Sequence, residues 1–188
     1  FRVGRNLPIP PASRRRVKLV TTPEQAWHLG NVPGLLFCSS GPGNPGPGAA
    51  ERVQERNWGM TWAASEIQRL IRSGDALAAI EVSRHGGGPF RLWGYALFRA
   101  VATDGELLSL AVHRSTRRSG VGTRLLRKCR DELLSLGCDR LFLEVHERNR
   151  GALSFYYRFG FRRSGRRSSY FNTNNNKFDA LILEIYLR

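Results

Sequence analysis

Hydrophobic residues recur along this chain with two periods, and each period predicts a different type of element. Three stretches rich in β-branched, aromatic and aliphatic residues are expected to be strands: Leu77–Val82, Leu92–Ala102 and Glu106–Val112. The Asp104-Gly105 pair predicts a tight hairpin turn before the last of them. Ser65–Arg72 has apolar residues at helical spacing. A helix followed by an antiparallel meander is therefore expected.

After position 120 the apolar residues repeat every three to four positions, which indicates an α-helix with one buried face. The stripe starts at Val121, and Gly137 stands where a C-cap glycine belongs. Next, the pattern predicts a buried strand at Leu141–Val145 and a helix at Ala152–Phe159 that ends at Gly160. Two more strands are expected at Phe161–Gly165 and Phe178–Leu187.

A long helix separates the strands that begin near positions 106 and 141. Because a helical crossover returns the chain in the same direction, these two strands are expected to be parallel neighbours. The predicted fold class is α+β, with a mixed and mostly antiparallel sheet of about six to seven strands, a central parallel pair and flanking helices.

The N-terminal third is predicted to be less regular. Residues 1–20 contain six basic residues and no acid, so they are expected to be a basic arm or the remnant of a transit peptide. The chain begins at Phe1 and has one methionine, so a processed or truncated end is expected. Residues 21–188 are expected to form a single domain. Thr22-Pro23-Glu24 predicts a short helix, and Pro/Gly-rich residues 39–50 predict a loop.

Composition adds a strong charge signal. There are 30 Lys and Arg against 15 Asp and Glu, giving a net charge of +15, of which +10 lies in residues 113–188. Nearly all the basic residues are arginine, whose planar donors match phosphate geometry. Nucleic acid, an acidic protein and a phosphorylated cofactor are all compatible partners. Codon bias in a GC-rich genome explains the same excess equally well.

Several classes are excluded by the same composition. The apolar runs are far shorter than the ~20 residues that span a bilayer, so no membrane association is expected. The three cysteines and four histidines lack the spacing of a disulfide framework or a metal site, so no metal is expected. An intracellular, reducing compartment follows: the cytoplasm, or a mitochondrion or plastid if the N-terminus is a transit remnant.

The segment between the predicted strand and the long helix has the chemistry of a phosphate cradle. Its glycines let backbone amides approach an anion, the helix N-terminus adds partial positive charge, and arginines supply further donors. The residues concerned are Arg117, Arg118, Ser119, Gly120, Val121, Gly122 and Thr123. The alternative is that the two glycines only shape a loop. The spacing is neither that of a Walker loop nor G-x-G-x-x-G.

Arg117-x-x-Gly120-x-Gly122 resembles the Q/R-x-x-G-x-G/A signature with which GNAT acetyltransferases bind the pyrophosphate of acetyl-CoA. Further stretches resemble, in the same order, those of RimI-like N-terminal acetyltransferases. They are Leu143–Val145, Asn149, Ala152–Tyr156, Phe159–Phe161, Arg166–Phe171 and Asp179–Leu183. The resemblance implies a GNAT fold and acetyl transfer from acetyl-CoA to a protein N-terminal α-amine, by direct attack in a ternary complex. It covers residues from about 65 to the C-terminus.

The resemblance also implies residue roles. Glu144 corresponds to the general base, although a salt bridge to an arginine also explains a carboxylate in this apolar strand. Tyr156 corresponds to the acid that protonates the CoA thiolate. The alternative is that Tyr156 only packs in the hydrophobic core. The family's substrate-covering tyrosines correspond to Tyr170 and Phe171. Asn149 corresponds to a cofactor contact, and helix capping is compatible with that role.

The backbone of the strand before the cradle pairs with the pantetheine of acetyl-CoA in this family, which implies the same for Leu110, Ala111 and Val112. Two departures are visible. His113-Arg114-Ser115 replaces a frequent Asp-Pro turn, and Ser119 replaces a frequent Arg or Lys. Neither removes the amide cradle.

Two other functions fit the sequence. The acceptor amine is a lysine side chain in one alternative. In the other, the chain is a non-catalytic GNAT-fold component of an organellar ribosome or assembly particle, as the basic arm and the arginine excess suggest. A basic enzyme would also associate with ribosomal surfaces, where RimI-like enzymes find a substrate.

Overall fold

The computed structural model describes residues 15–20, 35–37, 64–84, 90–173 and 176–187, which form a mixed sheet with helices on both faces. The strands are β1 (Arg15–Val20), β2 (Leu35–Phe37), β3 (Leu77–Arg84), β4 (Phe90–Val101), β5 (Asp104–His113), β6 (Arg140–His146), β7 (Arg162–Thr173) and β8 (Asn176–Tyr186). The helices are α1 (Ala64–Arg72), α2 (Val121–Ser135) and α3 (Arg150–Phe159). None of the helices in the described ranges is long and apolar enough to cross a membrane.

The sheet has the order β1-β3-β4-β5-β6-β8-β7, and β2 pairs with β5 outside this path. Every described pair of strands is antiparallel except β5 and β6, which are parallel. This confirms the predicted α+β class and its central parallel pair. The described sheet has eight strands, because β1 and β2 join the six that the hydrophobic pattern predicted.

Residues 15–20, expected in the basic arm, form β1, an edge strand antiparallel to β3. Their side chains alternate between partly buried and exposed, with Val17 and Leu19 inward and Arg16 and Lys18 outward. Alternation with a period of two is the pattern of a half-buried strand, and the high charge obscured it. That part of the expectation is corrected. The predicted short helix at 22–24 and the loop at 39–50 lie outside the described residues.

The hairpin between β4 and β5 turns at Ala102 and Thr103, two residues earlier than predicted. Asp104 and Gly105 are already paired with Val101 and Ala100, so the prediction of a turn at Asp104-Gly105 was wrong. A Cβ on Gly105 would lie 2.5 Å from Leu133 Cδ1. The glycine is needed because α2 crosses the strand closely at this point.

The helices bury two separate cores on the two faces of the sheet. On one face α2 and α3 cover side chains of β4, β5, β6 and β8, including Phe98, Leu107 and Leu143. On the other face α1 packs against β3, β4 and β5 through Ile67, Leu70 and Ile71. The predicted helix ends at Gly137 and Gly160 are confirmed, because both glycines have the left-handed backbone of a C-cap position.

A bulge in β5 opens the sheet at its centre. The β4 register shifts between Leu97, opposite Ser109, and Phe98, opposite Leu107, which leaves Leu108 as an extra residue. Beyond this point β5 and β6 no longer pair, since their ladder ends at Leu107 and Leu143. The two central strands therefore diverge toward their C-terminal ends.

We expect Gly94→Ala to lower the free energy of unfolding by about 1–3 kcal/mol, since a Cβ there overfills the space between β4 and α2. The added atom would lie 2.7 Å from the Ala111 carbonyl oxygen and 2.9 Å from Val121 Cγ1. Urea unfolding measures the change. Gly151→Ala is the matched control, since it meets no atom closer than 3.9 Å and lies in a helix. Equal stability of the two variants would contradict this account of the α2 packing.

Candidate active site

The predicted phosphate cradle lies where the 3-10 turn Arg114–Thr116 leads into α2. Gly120 precedes the first helical residue with φ +80°, and no side chain caps the helix. Arg118 is also left-handed at φ +63°, which is unusual for a non-glycine residue. These conformations leave the amides of the first turn without an intrahelical partner. The arrangement is suited to binding an anion.

The cradle residues differ in exposure. Arg117, Arg118, Ser119 and Gly120 are exposed, and neither arginine forms an ion pair within the described part of the chain. Val121 instead points into the core, so only its backbone is available to a ligand. Gly122 and Thr123 are half-buried. Two guanidinium groups without an ion pair among the described residues therefore lie beside the first turn of α2.

Gly122 has a packing role in addition to its place in the cradle. A Cβ at this position would lie 3.3 Å from Phe155 Cζ and 3.6 Å from Val112 Cγ2. The start of α2 thus approaches both α3 and the end of β5 at one point. Replacement of this glycine by a larger residue would separate the cradle from α3.

A buried ion pair beneath the cradle was not predicted. The Glu81 carboxylate on β3 is fully buried and accepts from Arg124 Nε at 2.9 Å and Arg124 Nη2 at 2.7 Å. The third Arg124 nitrogen donates to the Ser119 carbonyl oxygen at 3.2 Å. Arg15 of β1 lies 3.7 Å from the same carboxylate and donates to the Ser119 hydroxyl. This cluster fixes the cradle to the sheet.

The backbone edge expected to pair with pantetheine is partly covered. Ala111 and Val112 of β5 lie opposite Phe37 and Leu36 of β2, on the edge that β6 has left. The side chains of Leu110 and Ala111 are buried in the two cores. An extended ligand on this edge would therefore have to replace β2.

Glu144 is the first residue of β6 after its pairing with β5 ends. Its side chain is 12% exposed, and its Oε1 forms an ion pair with Arg167 Nε at 2.9 Å. The Tyr170 hydroxyl also donates to this carboxylate. Burial, followed by this hydrogen bond, raises the pKa of Tyr170 above its ordinary value. The predicted base and the predicted substrate residue are thus in contact, and the alternative of an arginine salt bridge is also observed.

His146 lies on the same face of β6 as Glu144 and is buried between the rings of Phe171 and Phe178. Its Nδ1 accepts from the Arg148 amide at 3.1 Å, which places the proton of the neutral ring on Nε2. Burial lowers the pKa of this histidine. Phe171, predicted to cover the substrate, is 3% exposed and packs within the β7–β8 hairpin against the His146 ring.

Tyr156 lies on the opposite face of the sheet from Glu144. It is fully buried in the core that α2 and α3 cover, against Phe155 and Phe161. Leu143 and Val145 of β6 belong to this same core, so Glu144 between them points the other way. A ligand that reaches both residues must pass through the opening between β5 and β6. The catalytic role of Tyr156 stays a prediction.

Asn149 caps α3 by accepting from the Ala152 amide at 3.1 Å. This confirms the capping interpretation. The cofactor contact stays a prediction.

Sequence reasoning missed Glu81 and Arg124, and it did not identify Arg167 as the arginine that pairs with Glu144. The available signal was weak: Glu81 is an acid inside the otherwise apolar strand pattern of residues 77–82. Its partner is 43 positions away, and no local period relates the two.

Comparison with known proteins identifies the class that this fold and site define. The profile of the Acetyltransferase (GNAT) family matches residues 51–161, more than half of the chain. The chain belongs to this family and is an acetyl-transferring enzyme of the GNAT class. This confirms the resemblance stated from the motifs.

Within the family, the chain is similar to N-terminal acetyltransferases. It is 27% identical over 137 residues to the [ribosomal protein bS18]-alanine N-acetyltransferase of Escherichia coli K12, covering 73% of this chain and 88% of that protein. Human N-alpha-acetyltransferase 30 is 37% identical over 84 residues, 45% of this chain and 22% of that protein. The crystal structure of the Escherichia coli ribosomal-protein-S18-alanine N-acetyltransferase superposes with a TM-score of 0.58 at 25% identity, covering 68% and 79% of the two chains.

We expect Arg124→Met to lower the free energy of unfolding by about 3 kcal/mol, because it leaves the Glu81 carboxylate buried without its bidentate partner. Chemical denaturation measures this change. Arg130→Met is the matched control on the same helix, since Arg130 pairs with the exposed Asp131 and its loss costs about 1 kcal/mol or less. Equal losses in the two variants would show that Glu81 does not depend on Arg124.

Proposed function

We propose that this enzyme transfers an acetyl group from acetyl-CoA to the α-amine of a protein N-terminus. The observation that carries the proposal is the Glu144 carboxylate, held at the opening between β5 and β6 and contacted by a cation from β7. A carboxylate that binds a guanidinium in this position is equally suited to binding a protonated amine. Similarity to two N-terminal acetyltransferases supports the same acceptor.

The cradle fits the phosphate part of acetyl-CoA. The first-turn amides of α2 provide donors for a pyrophosphate, and so do Arg117 and Arg118, which have no ion pair among the described residues. The CoA thioester supplies the activated acetyl group when bound. From the cradle, the remainder of the molecule would run along the edge of β5 to the opening between the central strands, where it has to replace β2.

Glu144 accepts the proton of the attacking amine, directly or through a water molecule. The nitrogen forms a bond to the acetyl carbon, the carbon–sulfur bond breaks, and the thiolate takes a proton from the predicted donor Tyr156. An α-amine has an ordinary pKa of about 7.8, against about 10.4 for lysine. A single carboxylate is therefore sufficient to deprotonate an α-amine near neutral pH.

The acceptor protein in this proposal has an accessible, disordered N-terminus, and a ribosomal protein is one candidate. The relative from Escherichia coli acts on a ribosomal protein, as its name states. The +10 charge of residues 113–188 would favour association with a ribosomal surface.

We expect Glu144→Gln to lower the rate of acetyl transfer by about 10²–10⁴-fold at neutral pH, because it removes the base and keeps the shape. Release of CoA thiol with a panel of peptides measures the rate, and calorimetry confirms that acetyl-CoA still binds. Glu132→Gln is the matched control, since Glu132 pairs with Lys128 on α2.

An unchanged rate in Glu144→Gln would overturn the assignment of the base. Acetylation of peptides with a blocked N-terminus and a free lysine, without acetylation of lysine-free peptides, would instead identify a lysine acetyltransferase. A protein that neither binds acetyl-CoA nor turns it over would be a non-catalytic component.

We also expect Leu36→Pro to bind acetyl-CoA several-fold more tightly than the wild type, as measured by calorimetry. Proline has no backbone donor and is poorly tolerated within a strand, so it weakens the pairing of β2 with β5 and frees this edge for the cofactor. Leu36→Ala is the control, because it keeps the amide. Weaker binding in the proline variant would mean that β2 contributes to the cofactor site and does not compete for it.

A further inference from the structure

The two motifs that close the family resemblance, Arg166–Phe171 and Asp179–Leu183, have no role in the mechanism so far. The structure joins them. Arg166 Nε forms an ion pair with Asp179 Oδ2, and Arg166 Nη2 lies 3.1 Å from Glu147 Oε2. Glu147 Oε1 accepts from the Asp179 amide at 3.2 Å. These three residues, Arg166, Asp179 and Glu147, form a charged cluster that links β7, β8 and the end of β6.

The cluster holds an irregular part of β7. Arg167 lies opposite Ala180 and Phe171 lies opposite Phe178, so three residues of β7 face the single residue Asp179. Within this bulge Ser169 has φ +56°, a left-handed conformation that a non-glycine residue rarely adopts. The Ser169 amide donates to Asp179 Oδ1 at 2.8 Å. Asp179 therefore stabilises the turn that Ser169 makes.

Two side chains that contact Glu144 lie in or next to the bulge. Arg167 immediately precedes it, and its guanidinium lies 5.5 Å from the ring centroid of Tyr170. Arg167 forms an ion pair with the Glu144 carboxylate, and the Tyr170 hydroxyl donates to it. Without the two extra residues, the pairing that starts at Arg167 and Ala180 would place Tyr170 opposite Lys177, five positions along β8 from Ile182, the partner of Glu144.

We propose that Asp179, with Arg166 and Glu147, is a positioning group of the active site: it holds the β7 bulge in the conformation that places Arg167 and Tyr170 on Glu144. Arg167 and Tyr170 then define the space in which the substrate amine meets this carboxylate. The kinetic part of this inference rests on the proposed function. Its structural part does not.

The first measurement is independent of activity. The hydrogen bond to Glu144 contributes to the raised pKa of Tyr170. We expect Asp179→Ala to move this pKa down toward the ordinary value of about 10, because the phenol loses its contact with the carboxylate. NMR titration of ring-labelled tyrosine measures it, and comparison with Tyr170→Phe assigns the signal among the five tyrosines.

The second measurement is kinetic. We expect Asp179→Ala to lower kcat/KM for the peptide about ten- to a hundredfold, since misplacement of a reacting group by about 1 Å costs this order of rate. The affinity for acetyl-CoA should stay unchanged. Adding Ser169→Gly should restore part of the activity, because glycine adopts the left-handed conformation without needing Asp179.

Asp104→Ala is the matched control, since Asp104 forms a similar pair with Arg140 at the other end of the sheet. If Asp179→Ala does not fold, Asp179→Asn is used in its place: it keeps one acceptor for the Ser169 amide but loses the ion pair with Arg166, so smaller changes of the same sign are expected. Unchanged Tyr170 titration and kcat/KM, with a loss of stability equal to that in the control, would overturn the proposal. If the tyrosine titration moves but Glu144→Gln leaves acetyl transfer intact, the positioning role stands and the proposed base is wrong.

Discussion

The separation of β5 from β6 is the constraint on which the site depends. The extra residue Leu108 ends the parallel ladder after Leu107 and Leu143, and the opening beyond it connects the two faces of the sheet. Glu144 stands at this opening because it is the next residue of β6. Tyr156 lies on one face and Glu144 on the other, so a closed sheet would keep the two apart.

Carboxylates paired with arginine organise both sides of this opening. Glu81 pairs with Arg124 beneath the cradle, and Asp179 pairs with Arg166 beside the bulge of β7. Part of the arginine excess therefore has a structural use within the fold. Arg117 and Arg118 are exposed without ion pairs in the described residues, which leaves them available to an anionic ligand.

Local pattern was sufficient to predict most helices and strands, because burial on one face imposes a period on the sequence. It failed where one residue type has two uses. Gly105 suggested a turn, whereas the structure shows that glycine is needed there because Leu133 of α2 approaches the strand too closely for a side chain. It failed again in β1, where basic residues on the exposed face concealed a six-residue strand. The motifs that resemble those of GNAT acetyltransferases, in contrast, identified the fold directly.

The sequence by itself determined the class of enzyme, and it predicted the cradle at the start of α2 and Glu144 as the base, since each depends on residues close together along the chain. Only the tertiary structure decided which groups these residues meet. Glu144 contacts Arg167, and Glu81 contacts Arg124 across 43 positions. Such contacts follow from strand register, bulges and helix packing, which set distances between remote residues and leave no period in the sequence.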